Sequence, residues 1–124
     1  MSVVGLHHAG LYTSNLTRSI AFYREVFGLD VAETFSFGDE QIAFMRVGSA
    51  RLELIEGGPT RDGAGVVDHF AFEVHGLDRL VERLRQHGAT LLDERPLRVA
   101  PVGARILFCL GPDGERIELF EYER

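Results

Sequence analysis

The feature that most constrains this chain is a six-residue pattern that occurs twice. Arg51-Leu52-Glu53-Leu54-Ile55-Glu56 returns as Arg116-Ile117-Glu118-Leu119-Phe120-Glu121: arginine, apolar, Glu, Leu, apolar, Glu. A second echo accompanies it. His8-Ala9-Gly10-Leu11 is answered by His69-Phe70-Ala71-Phe72, each a His in a strand-like run that leads towards a helix-like run. The spacings agree closely, 61 residues from His8 to His69 and 65 from Glu53 to Glu118. The chain therefore reads as a duplicated module, each copy supplying one His and one Glu.

Local patterns give both copies the same order of elements. Residues 3–13 alternate as a strand. Ser14 and Asn15 offer N-cap oxygens, and Leu16, Ile20, Tyr23 and Phe27 follow at spacings of four, three and four, one face of a helix that Gly28 is placed to end. Three strands are expected next: Leu29 to about Ser36, Gln41 to Val47, and Arg51 to Glu56, with turns at Gly38-Asp39 and Gly48-Ser49. Residues 57–65 hold four Gly and one Pro and read as a linker, short enough to let the modules pair within one chain or exchange partners with a second. The second copy predicts a strand from about Val66 to Val74 and a helix with Leu77, Leu80, Val81 and Leu84 on one face, ended by Gly88. A short strand over Thr90 to Asp93, a lid-like loop over 94–103, and strands over Ala104 to Leu110 and Glu115 to Tyr122 complete it. Strand, helix and three strands in each half make the class α+β. One domain over 1–124 is expected, with modules at 1–56 and 66–124.

Strand parity tests whether the repeated His and Glu residues share a face. His8 goes with Gly10 and Tyr12; Glu53 with Arg51 and Ile55; His69 with Ala71 and Glu73; Glu118 with Arg116 and Phe120. In every case the neighbours of opposite parity are mostly apolar and suited to packing against the helix of the module. Carboxylates are poor strand formers and are rarely buried without a partner, so two of them in mid-strand need a compensating charge. A divalent cation supplies it. Two imidazole nitrogens and two carboxylate oxygens suit a six-coordinate ion such as Ni, Co, Mn, Fe or Zn, with positions open for water or substrate. The candidate metal ligands are His8, Glu53, His69 and Glu118. Tyr12 and Glu73 fall on the same face and are candidate substrate-pocket residues. Glu56 and Glu121 fall on the other face and read as strand-end residues, and His7, His75 and His87 as surface or packing residues.

The bulk properties exclude several partners. The net charge of −6 is spread evenly, five basic and eight acidic residues through position 62, eight and eleven after it, so no basic face exists for nucleic acid or an anionic membrane. All thirteen basic residues are Arg, which removes any Schiff-base lysine chemistry. The lone Cys109, within Ile106-Leu107-Phe108-Cys109-Leu110, reads as a buried hydrophobe compatible with a reducing compartment. With no signal-peptide pattern and no spanning apolar run, the cytoplasm is the expected location.

With these residues in hand, the chain resembles the vicinal oxygen chelate superfamily, which includes glyoxalase I, methylmalonyl-CoA epimerase, fosfomycin-resistance thiol transferases and extradiol dioxygenases. The resemblance is carried by Leu6-His7-His8-Ala9-Gly10-Leu11, Ser19-Ile20-Ala21-Phe22-Tyr23 with Phe27-Gly28-Leu29, Leu52-Glu53-Leu54, Asp68-His69-Phe70-Ala71-Phe72-Glu73-Val74, and Pro112-Asp113-Gly114 with Ile117-Glu118-Leu119. It implies paired βαβββ modules forming a curved, mostly antiparallel cup with helices outside, and His8 rather than His7 as the ligand. It further implies a metal-dependent lyase or isomerase of the glyoxalase type, moving a proton through a metal-chelated enediolate on a small substrate with vicinal oxygens, with Glu118 as ligand and base and Glu53 as the other catalytic carboxylate. Where Tyr12 and Gly57 stand, bacterial glyoxalase I carries an Arg and an Asn that hold glutathione, which points away from a glutathione adduct and leaves Arg46, Arg51 and Arg105 as candidate anchors. A His8, His69, Glu118 triad serving a fosfomycin-type thiol transferase or a dioxygenase is the alternative, and a metal-free binding protein of the bleomycin-resistance kind is another. A homodimer is expected, because two small open sheets leave edges that need covering.

Overall fold

The computed structural model describes residues 5–58 and 67–123, which fall into two compact units, Met1–Arg61 and Asp62–Arg124. The first unit runs β1 (His8–Thr13), α1 (Leu16–Phe27), β2 (Val31–Phe37), β3 (Glu40–Val47) and β4 (Ala50–Glu56). The second runs β5 (Phe70–Glu73), α2 (Leu77–Gln86), β6 (Leu97–Val99), β7 (Ala104–Leu110) and β8 (Arg116–Tyr122). Each is an α+β βαβββ module with one open, four-stranded sheet, in the order β1-β4-β3-β2 and β5-β8-β7-β6. The first strand of each module runs parallel to its last, and the remaining pairings are antiparallel.

The apolar positions of the repeat explain this arrangement. Leu52 and Leu54 in β4, with Ala43 and Met45 beside them in β3, are buried on the face against which α1 packs, and α1 contributes Tyr23 and Val26. Ile117, Leu119, Leu107 and Cys109 do the same in the second unit, with Leu77, Val81 and Leu84 from α2. Burying such an aliphatic side chain contributes roughly 1.5–3 kcal/mol, so the repeat carries much of each core. Cys109 is part of that core, and burial, with a smaller contribution from the charge of Glu115, pushes its thiol up to about 12.

The outer Glu of each repeat has a definite task. Parallel pairing sets Glu56 beside Thr13, where β1 turns into α1, and Glu56 Oε1 accepts a hydrogen bond from the Leu16 amide at 2.6 Å. Asn15 caps the same helix by accepting from the Arg18 amide. In the second unit Gly76 occupies the N-cap of α2 and has no side chain to offer, so Glu121 Oε2 accepts from both the Gly76 and Leu77 amides, at 2.7 and 3.1 Å. Both carboxylates meet the unsatisfied N–H groups and positive end of a helix. These residues are helix caps rather than mere strand ends.

Several sequence expectations shift at the boundaries. The first strand spans His8–Thr13, with residues 5–7 outside it and the expected start at residue 3 beyond the described residues; β5 spans Phe70–Glu73, leaving His69 just ahead of it. Thr90 to Asp93 forms no strand; Leu91 makes a single bridge to Cys109. The third partner of the second sheet is instead Leu97–Val99, inside the expected loop, followed by a 3-10 turn at Ala100–Val102. Its pairing comes from β7 across that turn, and the flanking Pro96 and Pro101 are tolerated because the strand lies at a sheet edge. Of the expected linker 57–65, only Gly57 and Gly58 are among the described residues, as is none of the expected start of the second module at Val66.

Candidate metal centre

In the first unit the register places His8 opposite Arg51 and Gly10 opposite Glu53. The Glu53 side chain leans diagonally over β1, so that its Oε1 stands 3.5 Å from His8 Nε2. Gly10 makes this possible: a Cβ there would sit 3.1 Å from Glu53 Oε1. The imidazole of His8 meets Phe44 edge-on, ring centroids 5.4 Å apart, and its Nδ1 is 2.9 Å from Nδ1 of His7. Glu53 is largely covered, its side chain 16% exposed.

The second unit builds the same pair more tightly. His69 Nε2 lies 2.9 Å from Glu118 Oε1, and Phe108, in register with Glu118, meets the His69 ring edge-on at 5.0 Å. The other ring nitrogen, Nδ1, is 2.8 Å from Asp68 Oδ2, and Asp68 Oδ1 accepts from Arg116 Nη1 at 3.1 Å. The Arg116 guanidinium lies over the Phe108 ring, 5.2 Å from its centroid. The hydrogen bond from His69, helped by the charge of Arg116, holds the Asp68 carboxyl below its usual range.

These donor sets fit a divalent ion. Two donors bound side by side to one ion at about 2.1 Å stand about 3 Å apart, which is the His69–Glu118 spacing of 2.9 Å; the His8–Glu53 pair, at 3.5 Å, is looser. In both, Nδ1 is engaged and Nε2 faces the carboxylate, the division of labour usual for a ligating imidazole. Among the described residues no three or more His, Cys, Asp or Glu side chains group so as to hold a metal ion.

The other expected site residues divide by face. Tyr12, in register with Ile55, shares the face of Glu53, as does the exposed Arg46, in register with Arg51; one Arg46 nitrogen donates to the Val31 carbonyl. Glu73, in register with Phe120, shares the face of Glu118 and is exposed. Arg105 does not belong with them. It is in register with Glu121, on the helix-bearing side of its sheet, where it pairs with Glu121 at 3.0 Å and Asp78 at 3.3 Å. Asp68 and the supporting Arg116 and Phe108 were not singled out by sequence reasoning. The available signal was a polar residue directly before each repeated His: His7 in one copy, Asp68 in the other.

Residues 5–119 match the model of the Glyoxalase/Bleomycin resistance protein/Dioxygenase superfamily. The chain belongs to this superfamily. Among its relatives is the uncharacterized protein YwbC of Bacillus subtilis, 30% identical over 122 residues, spanning 94% of this chain and 96% of the relative. The lactoylglutathione lyase of Salmonella typhimurium is 32% identical over 127 residues, spanning 94% and 91%. The fosfomycin resistance protein FosX of Listeria monocytogenes is 27% identical over 113 residues, spanning 86% and 81%. Its crystal structure superposes with a TM-score of 0.80 over 98% of this chain and 96% of that one, at 18% identity. A FosX variant has been crystallised with Mn(II) and a dihydroxypropylphosphonic acid. The superfamily fold thus accounts for both βαβββ modules, and its members include enzymes acting on small molecules.

Proposed function

We propose that this protein is a divalent-metal-dependent lyase or isomerase of the glyoxalase type, transferring a proton on a small substrate with neighbouring oxygens. The observation that carries the reading is the twofold one: each unit sets one His Nε2 against one Glu Oε1 on the sheet face away from its helix. Two donors are too few for a stable ion, and the two pairs together give the mixed nitrogen and oxygen set that suits Ni, Co, Mn, Fe or Zn. His8, Glu53, His69 and Glu118 would hold it. When bound, such an ion supplies electrophilic stabilisation of negative charge developing on adjacent substrate oxygens. Glu118 and Glu53 are the groups able to take a proton from carbon and return it. Tyr12, Arg46 and Glu73 are the side chains of the same faces available to orient the substrate. The lyase relative at 32% identity supports this activity, and Tyr12 and Gly57 argue for a substrate other than a glutathione adduct. Open sheets with unpaired edges support a homodimer. Among the described residues no helix is long and apolar enough to cross a membrane, and a cytoplasmic setting belongs to the same reading.

Glu118→Gln tests it. Turnover of hemithioacetals or other 2-oxoacyl substrates by the metal-reconstituted protein should fall at least about 100-fold, the scale of a lost general base, with unchanged circular dichroism. Failure of the wild-type protein on every such substrate would reject the reading. One observation favours a second: the longer His8–Glu53 separation, 3.5 Å against 2.9 Å, suits a His8, His69, Glu118 triad serving thiol transfer to an epoxide or oxygen chemistry. Glu53→Gln separates the two, weakening metal binding if Glu53 is a ligand and sparing it if the triad suffices.

A further inference from the structure

The repeat makes each unit a control for the other. Arg116, the first residue of the second copy, is compensated: it donates to Asp68 at 3.1 Å, lies over the Phe108 ring, and stands in register with the uncharged Leu110. Arg51 holds the same place in the first copy, on the face of Glu53, but two of its neighbours differ. His7 stands where the second copy has Asp68, and Arg46, in register with Arg51, stands where it has Leu110. Two arginines are thus directly opposite each other on adjacent antiparallel strands, with like charges about 5 Å apart at the Cβ atoms, which is destabilising. Parallel pairing also sets Arg51 beside His8.

Among the described residues neither of these guanidinium groups has a carboxylate partner. The half-buried Arg51 donates to the Ala50 carbonyl at 3.0 Å and the exposed Arg46 to the Val31 carbonyl at 3.2 Å, which leaves most of their N–H donors open. The other strand arginines, Arg98, Arg105 and Arg116, each pair with a carboxylate. Glu53, the acid on the same strand face as Arg51, turns to His8 instead. In a chain of net charge −6, acid is not scarce, so two opposed and uncompensated cations beside the His8–Glu53 pair point to negative charge brought from outside.

We propose that Arg46 and Arg51 form an anion clamp beside the His8–Glu53 pair, and that the substrate is a small acid whose carboxylate or phosphoryl group they hold. Two guanidinium forks offer the paired N–H groups that both oxyanions accept in bidentate fashion. Arg51 carries most of the effect, because its half-buried side chain is the less screened by water. The proposal deepens the reading given above, yet the clamp needs no metal to take an anion, so the two are separable.

The experiment titrates metal-free protein with pyruvate, with its uncharged analogue methyl pyruvate, and with acetylphosphonate, followed through the arginine Nε–H signals by NMR. Pyruvate or acetylphosphonate should shift the Arg46 and Arg51 signals saturably and methyl pyruvate should not; the tighter of the two anions assigns a carboxylate or a phosphoryl group. Arg51→Gln should weaken that binding about 10-fold, the scale of one hydrogen bond to a charged group, Arg46→Gln less, and Arg98→Gln not at all. No saturable shift with either anion, an equal response to methyl pyruvate, or wild-type affinity in Arg51→Gln overturns the proposal; should Arg51→Gln fail to fold, wild-type affinity in Arg46→Gln does so. Calorimetry with Mn(II) separates the two readings. Wild type that takes the anion but not the ion keeps the clamp and loses the metal centre, and wild type that takes the ion but neither anion loses the clamp alone.

Discussion

Gly10 shows how much one missing methyl group can matter. It stands opposite Glu53, and the carboxylate occupies space that a Cβ would crowd at 3.1 Å, tighter than ordinary packing allows. The second copy carries Ala71 opposite Glu118 and still brings Glu118 within 2.9 Å of His69, so the constraint is particular to the first pair. Gly10→Ala should leave the fold intact and shift the Glu53 carboxylate by a few tenths of an ångström. Its expected effect is a loss of up to about 10-fold in metal affinity, read by competition with a chelating dye; wild-type affinity would show that Glu53 does not need its position over β1. Parity was enough to predict which residues share a face, because alternation depends only on the strand. It does not reach Arg105: charge alone makes Arg105 a candidate anchor, and the pairing with Glu121 sets it on the helix side. The supports of His69 were illegible for a different reason. Arg116 and Phe108 are brought to it by β8 and β7, far along the chain, and only Asp68 is its sequence neighbour.

At the scale of elements, the repeat divides its labour between faces: Leu and Ile pack, the inner Glu faces His, and the outer Glu caps a helix. Loss of a capping carboxylate costs about 1 kcal/mol, so Glu56→Ala and Glu121→Ala should each lower the melting temperature by several degrees. Glu121 adds a pH dependence. Its ion pair with Arg105, and the Leu77 and Gly76 amides, hold its pKa below the ordinary value of 4.5. A carboxyl whose folded pKa is depressed stabilises the fold above the unfolded pKa, and that stability is lost as the pH falls from about 4.5 through the folded value. Thermal scans across acid pH should therefore show a steeper decline for wild type than for Glu121→Gln, and parallel declines would remove Glu121 from the account. The helices were readable because spacing and caps are local; α1 spans Leu16–Phe27 and ends at Gly28 as its pattern predicts. β6 was not, because three residues between prolines carry no pattern of their own and become a strand only through β7.

At the scale of the molecule, membership of the superfamily and the two βαβββ units follow from features visible along the whole chain, a duplicated pattern and a matching family model. The specific reaction does not, because relatives with the same fold include a lactoylglutathione lyase and a fosfomycin resistance protein. What separates such activities is the donor set and the side chains around it, and the proposed set here is His8, Glu53, His69 and Glu118 with Tyr12 nearby on the face of Glu53. The claim on which the rest depends is that His8, Glu53, His69 and Glu118 bind one divalent ion. Elemental analysis of the purified protein after reconstitution with Ni(II), Co(II), Mn(II), Fe(II) or Zn(II) measures it directly. The account predicts a stoichiometric ion that is lost in both His8→Ala and His69→Ala; no retained ion in wild type, or wild-type retention in either variant, would contradict it.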